Sequence, residues 1–313
     1  MKETTKEPVN SFCVSVGLPT FNRCGQLRGA IESVLAQTYR NIELLISDNA
    51  STDDTRNVCE EYAQLDSRVR YIRQTENIGM VPNFNTVLRE SSGPFFMWLS
   101  DDDWLDERYV ELCMAVLQER PDYALAAGVN RYYADGNHVF DCEVVQLPED
   151  DGRKRVLKLY YTSAHGGLIY GVIRREHIHR EFSNPPVMWE DLYFTASVVF
   201  SGKAAMLENT FVHRSREGAS GTNESTMAHY GVKFNNSFSP HYYRGIHAAR
   251  DVMRNPAFRT LGPLRRRIFA CQTFRFACFR EIGPHPVRDA YDRARAWART
   301  TFLWRKLRAV VRR

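Results

Sequence analysis

The first hundred residues alternate between two hydrophobic periods. Apolar runs at 12–18, 42–48, 69–72 and 94–99 have strand length, and Pro19 closes the first of them. Between them Leu27, Ala30, Ile31, Val34 and Leu35 recur at helical spacing. Ser51 to Asp54 forms a capping-box variant that opens a second helix to about residue 64, and a third helix spans about 81–90. Strands separated by helices pair in parallel through right-handed crossovers, so the pattern predicts an α/β fold with a doubly wound, mostly parallel sheet.

From about residue 104 the pattern loosens. It predicts a helix over 106–119, a strand over 123–129, a charged loop over 147–155 and a strand over 167–174. The turn-rich segment 215–226 is the best candidate for a mobile loop over a site. Two helices, about 264–282 and 287–311, are predicted at the C-terminal end, with residues 283–286 (Gly-Pro-His-Pro) between them.

Three polar clusters fall at the carboxyl ends of the predicted strands: Thr20 to Asn22, Asp48 with Asn49, and Asp101 to Asp103. In open α/β sheets that edge is where ligands bind. Three successive carboxylates repel one another unless something cationic shares the site, so the acidic run points to a divalent metal. Neither a Gly-x-Gly-x-x-Gly turn after the first strand nor a P-loop is present to cradle phosphate. His177 and His179 look like a metal pair, yet without further ligands nearby they read as surface residues.

The 313 residues are 43% hydrophobic and 25% charged, an ordinary globular composition. No 18-residue apolar run and no basic-then-apolar leader stands out, and the seven scattered cysteines lack any Cys-x-x-Cys pair. These features predict a cytoplasmic protein with reduced thiols and no structural zinc. The net charge of +5 hides an asymmetry: residues 240–313 carry 18 Lys and Arg against 4 Asp and Glu, a balance of +14, and the remaining 24 against 33 give −9. The basic tail suggests peripheral contact with an anionic membrane through residues 264–313. It lacks the Gly-rich, aromatic-interleaved pattern of common RNA modules, so nucleic acid is not an expected partner.

Several motifs in order resemble family 2 glycosyltransferases of the GT-A fold. They are the segment 16–23 (Val-Gly-Leu-Pro-Thr-Phe-Asn-Arg), the segment 33–43, the segment 46–55 (Ile-Ser-Asp-Asn-Ala-Ser-Thr-Asp-Asp-Thr), the segment 76–79, the acidic run, and the segment 189–192 (Trp-Glu-Asp-Leu). The resemblance covers roughly residues 12–220. It implies an inverting, metal-dependent transfer of a sugar from a UDP- or dTDP-linked donor to a hydroxyl of a glycan or lipid-linked acceptor, as in polysaccharide biosynthesis. It implies a nucleotide-sugar-binding half at 1–105, an acceptor-binding and catalytic-base half at 106–239, and a basic helical extension at 240–313. Nucleotide contacts fall to Pro19, Thr20, Phe21, Asn22, Asp48, Asn77, Gly79 and Asp101; Mn²⁺ or Mg²⁺ to Asp102 and Asp103; catalysis to Asp191 as base, with Glu190. His213, Arg214 and Arg216 occupy the place of residues that contact the diphosphate. The family's acidic motif usually reads Asp-x-Asp-Asp, whereas here Ser100 takes the first acidic position. That departure keeps a non-catalytic sugar-nucleotide binder in play, alongside a sugar nucleotidyltransferase.

Overall fold

The computed structural model describes residues 12–162, 167–184, 186–215 and 240–279. Its first half is β1 (Val14–Thr20), α1 (Cys24–Leu35), β2 (Ile42–Asp48), α2 (Thr55–Leu65), β3 (Val69–Arg73), α3 (Met80–Glu90) and β4 (Phe95–Trp98). β1 pairs in parallel with β2 on one side and β4 on the other, and β2 pairs in parallel with β3. Chain order therefore reverses direction at β1, and the crevice between the carboxyl ends of β1 and β4 is the topological switch point.

The second half supplies β5 (Trp104–Leu105), α4 (Tyr109–Glu119), β6 (Tyr123–Ala134), β7 (Asn137–Asp141), α5 (Gly152–Thr162), β8 (Val172–Arg174), α6 (Glu190–Ser201) and β9 (Lys203–Ser215). The described strands form one sheet in the order β3-β2-β1-β4-β8-β6-β9-β5, with β7 on β6. It is parallel through β3-β2-β1-β4 and mixed beyond, because β8 runs antiparallel to both β4 and β6. Trp98 is fully buried at the end of β4, its ring stacked 4.8 Å from Phe182 and edge-on to Phe194 at 5.0 Å. A buried aromatic of this size stabilises the fold by a few kcal/mol, about 1.5–3 for a Phe-sized group, and here it fixes the strand that delivers the acidic run.

Several sequence expectations shift. The segment 51–54 caps α2 through Asp53, whose Oδ1 accepts the Thr55 amide at 3.0 Å, while Asp54 at the N-cap makes no side-chain cap bond. The same loop also reaches α1: Ser51 Oγ accepts the Asn22 amide at 2.9 Å, Thr55 Oγ1 the Arg23 amide at 3.1 Å, and Asp53 Oδ2 the Cys24 amide at 3.2 Å. The loop after β2 thus satisfies orphan amides at the start of α1. The helix expected from 106 starts at Tyr109, since Asp106 is engaged by the Phe211 amide at 2.8 Å and by His213. The loop expected over 147–155 gives way to α5 at Gly152. The strand expected over 167–174 is a 3₁₀ turn (Gly167–Tyr170) followed by β8, broken at Gly171, where a Cβ would sit 2.8 Å from the Ala126 carbonyl oxygen.

Two further helices, α7 (Pro240–Arg254) and α8 (Pro263–Phe279), pack on each other, and α8 packs on α5. All seven cysteines are free. Among the described residues no helix is long and apolar enough to cross a membrane. The expected loop at 216–226, Arg216 and the helix at 287–311 lie outside the described residues.

Candidate active site

Parallel pairing sets Thr20 opposite Asp48 and Asp48 opposite Arg73 along the carboxyl edge of the sheet. Asp48 is fully buried and internally satisfied: Oδ1 accepts the Ser51 amide at 2.8 Å, and Oδ2 accepts Tyr71 Oη at 3.0 Å and Arg73 Nη1 at 2.9 Å. Asn22, in the left-handed region at φ 54°, accepts the Thr52 amide at 2.8 Å. Asn77 Oδ1 accepts Asn49 Nδ2 and the Gly79 amide, each at 2.9 Å, and Gly79 turns the chain into α3 at φ 90°. Asp48, Asn22, Asn77 and Gly79 therefore shape and brace the rim of this edge. Pro19, expected to close the first strand, lies inside β1 with Thr20 as its last residue, and Phe21, 41% exposed, presents an open aromatic ring at the same edge.

The three acidic residues meet three environments. Burial pushes the Asp101 carboxyl up to about 7, and the neighbouring Asp102 adds to the rise; the Thr20 hydroxyl, the Arg23 charge and the Phe21 amide oppose it. The buried Thr20 hydroxyl lies near enough to oppose that shift yet completes no hydrogen bond of good geometry. Asp103 is 2% exposed, and burial pushes its carboxyl up to about 6 even though the Arg214 charge pulls it down. Its Oδ2 accepts Arg214 Nε at 3.1 Å. Asp102, half-buried, is left as the carboxylate of the run without a protein partner among the described residues.

Arg214 is held on every side. Nη1 donates to Tyr132 Oη at 3.1 Å and Nη2 to Tyr170 Oη at 2.9 Å, while the guanidinium carbon stands 4.5 Å from the Tyr170 ring centroid. The Tyr170 hydroxyl also meets Ser100 Oγ at 3.0 Å. The serine that replaces the first acid of the family motif thus joins the shell of this cation. His213 is equally committed: Nε2 bonds Asp106 Oδ1 at 2.7 Å, Nδ1 bonds Tyr133 Oη at 2.9 Å, and Trp104 stacks on the ring. Both ring nitrogens are engaged, so His213 orients β5 against β9 and offers no free atom to a phosphate or metal.

Asp191 lies in the first turn of α6, where a carboxylate also gains from the helix dipole. Burial raises its pKa; the Leu192 amide and the Arg214 charge lower it, and Glu190 raises it. The Arg214 charge is thus felt both by Asp103, from the strand-end run, and by Asp191, from α6. Glu190 is turned inward and 1% exposed: its Oε1 accepts the Arg180 guanidinium and the Ser183 amide, the latter at 2.9 Å.

Among the described residues no three His, Cys, Asp or Glu side chains are grouped to hold a metal by themselves. A hard dication that keeps one or two carboxylates and takes its other oxygens from a diphosphate does not need such a cage. Asp102 and the Thr20 hydroxyl, without hydrogen-bond partners among the described residues, and the protonation-prone Asp101 fit that mode, with Asp103 already neutralised by Arg214.

A family model described as glycosyl transferase family 2 matches residues 15–182. The chain belongs to that family. Among its relatives, Glycosyltransferase GlyA of Streptococcus pneumoniae is 34% identical over 121 residues, covering 39% of this chain and 17% of GlyA. The GalNAc(5)-diNAcBac-PP-undecaprenol beta-1,3-glucosyltransferase of Campylobacter jejuni is 28% identical over 187 residues, 58% of this chain and 59% of that one. The family 2 chain thus spans less than two thirds of either relative. Its fold matches S. aureus TarS 1–349 in complex with UDP-GlcNAc, with a TM-score of 0.62 at 16% identity over 84% of this chain and 72% of TarS. It also matches a mannosyltransferase from Pyrobaculum calidifontis in complex with GDP-Man and Mn²⁺, with a TM-score of 0.51 at 15% identity over 95% of this chain and 84% of that one. The sheet, its switch point and the helices around it are those of the GT-A fold.

Sequence reasoning missed Tyr132, Tyr170, Arg180 and Arg73 in this family 2 site. Tyr132 and Tyr170 carry no local motif and reach Arg214 only through the pairing of β6 with β9 and the turn before β8. Arg73 sits directly opposite Asp48 on the neighbouring strand, a relation visible only once β2 and β3 are paired.

Proposed function

We propose that this chain transfers a sugar from a nucleoside diphosphate donor to a hydroxyl of a glycan or lipid-linked acceptor, inverting the anomeric carbon. One observation carries the reading: Arg214 is felt by both the acidic run and Asp191, so the donor-side and base-side carboxylates share one buried cation. In the proposed step the acceptor oxygen forms a bond to the anomeric carbon and gives its proton to the Asp191 carboxylate. The bond from that carbon to the diphosphate oxygen breaks with its electron pair on the leaving group. Burial makes Asp191 a stronger base than a solvated carboxylate, and such a base contributes about 10²- to 10⁴-fold. Phe21 and the loop after β1 face the nucleotide, and Asp102 with Asp101 would hold Mn²⁺ or Mg²⁺, which would supply charge neutralisation for the departing diphosphate. A lipid-linked acceptor is favoured by the undecaprenol-linked substrate in the Campylobacter relative's name, and a UDP donor by the TarS complex.

The exposed face of α8 supports work at an anionic membrane surface. Leu264, Ile268 and Phe276 are 71%, 52% and 38% exposed, with Arg265, Arg267 and Arg275 exposed around them. Apolar side chains flanked by arginines suit the boundary between anionic headgroups and acyl chains. Thermal shift with UDP-, dTDP- and GDP-sugars, with and without Mn²⁺, tests the donor. A cognate donor at 100-fold excess over Kd stabilises by about 2.7 kcal/mol. Absence of any metal-dependent shift across the series overturns the proposal.

A further inference from the structure

The C-terminal helices reach the base through a buried chain of charges. Arg180, in the segment before α6, donates to Glu190 Oε1 and to the Glu181 carbonyl at 2.8 Å, and its Nε lies 3.2 Å from Asp251 Oδ1 on α7. The side chains of Arg180, Glu190 and Asp251 are 15%, 2% and 10% exposed. Asn255 Nδ2 donates to the same Asp251 oxygen at 3.2 Å. A buried ion triad adds little net stability over apolar residues of the same shape, so its presence calls for a reason other than stability.

That reason lies one residue away. Trp189, the N-cap of α6, sits at φ 63°, a conformation that costs a bulky residue about 1–3 kcal/mol and persists only where its surroundings enforce it. Those surroundings include α7: the Tyr243 ring lies 6.3 Å from Trp189, and Tyr193 Oη donates to the Arg244 carbonyl at 3.2 Å. The strained turn fixes the backbone before Glu190, the Arg180 clamp holds the Glu190 side chain, and Asp191 follows directly.

We propose that Asp251 and Arg180 are positioning residues, through which α7 sets the first turn of α6 and hence the aim of the Asp191 carboxylate. Their contribution to turnover rests on the reading of Asp191 as base; the local ordering does not. The misaimed base predicts a loss of about 10- to 100-fold in kcat with donor KM unchanged, since small displacements of a reacting group cost that much.

The test uses the full chain with Asp251→Asn, which keeps the shape and removes the charge, and Arg180→Lys beside it, should Asp251→Ala fail to fold. Amide hydrogen exchange is measured over residues 186–194 and over β1 and β2. Turnover is read as UDP release, with whichever nucleotide sugar gives the largest thermal shift. Support requires exchange at least about tenfold faster in the first turn of α6 alone, reduced kcat at constant KM, and no further loss when Asp251→Asn is added to Asp191→Asn. Unchanged exchange in that turn, or a uniform rise across the sheet, overturns the inference. So does wild-type turnover of Asp251→Asn where Asp191→Asn is inactive. If Asp191→Asn itself turns over normally, the assignment of the base fails, and the exchange result still decides the ordering.

Discussion

Replacing Arg214 with Met keeps much of the volume and removes the charge at the centre of the site. The guanidinium donates to Asp103 at 3.1 Å, Tyr132 at 3.1 Å and Tyr170 at 2.9 Å. Two unit charges at that separation attract by about 5 kcal/mol at an effective dielectric constant of about 20. Asp103 is 2% exposed, so without Arg214 its carboxylate has neither water nor a cation. Breaking a buried pair by removing one partner costs about 3–5 kcal/mol, most of it the stranded charge rather than the lost attraction. Arg214→Met should therefore lower the free energy of unfolding in urea by about that amount. Asp103→Asn in the same background should recover most of it, because the amide no longer demands a counter-ion. Arg214→Lys should fall between, keeping charge while losing the planar fork that spans a carboxylate and two phenols. The measurement is a double-mutant cycle in EDTA, where no dication can replace the missing charge. If Arg214→Met costs under about 1 kcal/mol, or costs the same with and without Asp103→Asn, the pair is not the organiser of the site and the reasoning fails.

Other consequences can be checked separately. Asp191→Asn should retain nucleotide binding by calorimetry and lose at least about 10²-fold in turnover, and wild-type turnover should drop as pH falls through a pKa above the usual carboxylate range; Asp102→Asn should lose the metal-dependent part of binding, and equal metal response in both variants argues against this division of roles. Burial, then the charges of Arg250 and Arg254, push His247 down to about 4 from 6.5. The folded protein then resists a proton that the unfolded chain accepts, so stability is lost as pH falls from 6.5 toward about 4, by up to about 3 kcal/mol; His247→Gln should flatten that limb of a Tm-against-pH curve, and an unchanged limb refutes the assignment. At Gly128 a Cβ would lie 2.4 Å from the Thr210 carbonyl oxygen, where the β6–β9 register shifts, so Gly128→Ala should cost about 1–3 kcal/mol in urea unfolding. Leu264→Ser with Ile268→Ser should reduce sedimentation with phosphatidylserine vesicles while leaving donor binding intact; undiminished sedimentation removes α8 from the membrane contact.

The amino-acid sequence by itself determined the alternation that builds β1 to β4, because period-2 and period-3.6 patterns are local properties of a chain that must bury one face. It also marked the strand ends that carry Thr20, Asp48 and Asp101 to Asp103, since the carboxyl edge of a parallel sheet follows from strand order alone. Helix starts and loops in the second half escaped it. Asp106 spends its carboxylate on β9 rather than on the helix it precedes, and in the first half Asp53 divides its two oxygens between the starts of α1 and α2. Only the tertiary structure decided how the charges pair. Asp103 takes Arg214 from 111 positions away, Glu190 turns inward to Arg180, and Arg180 reaches Asp251 on α7. Such pairings depend on which side chains share a space shielded from water, where a charge must find its partner or give up its charge. That requirement leaves no periodic trace in the chain. It is what separates Asp102, without a partner among the described residues, from Asp103 beside it.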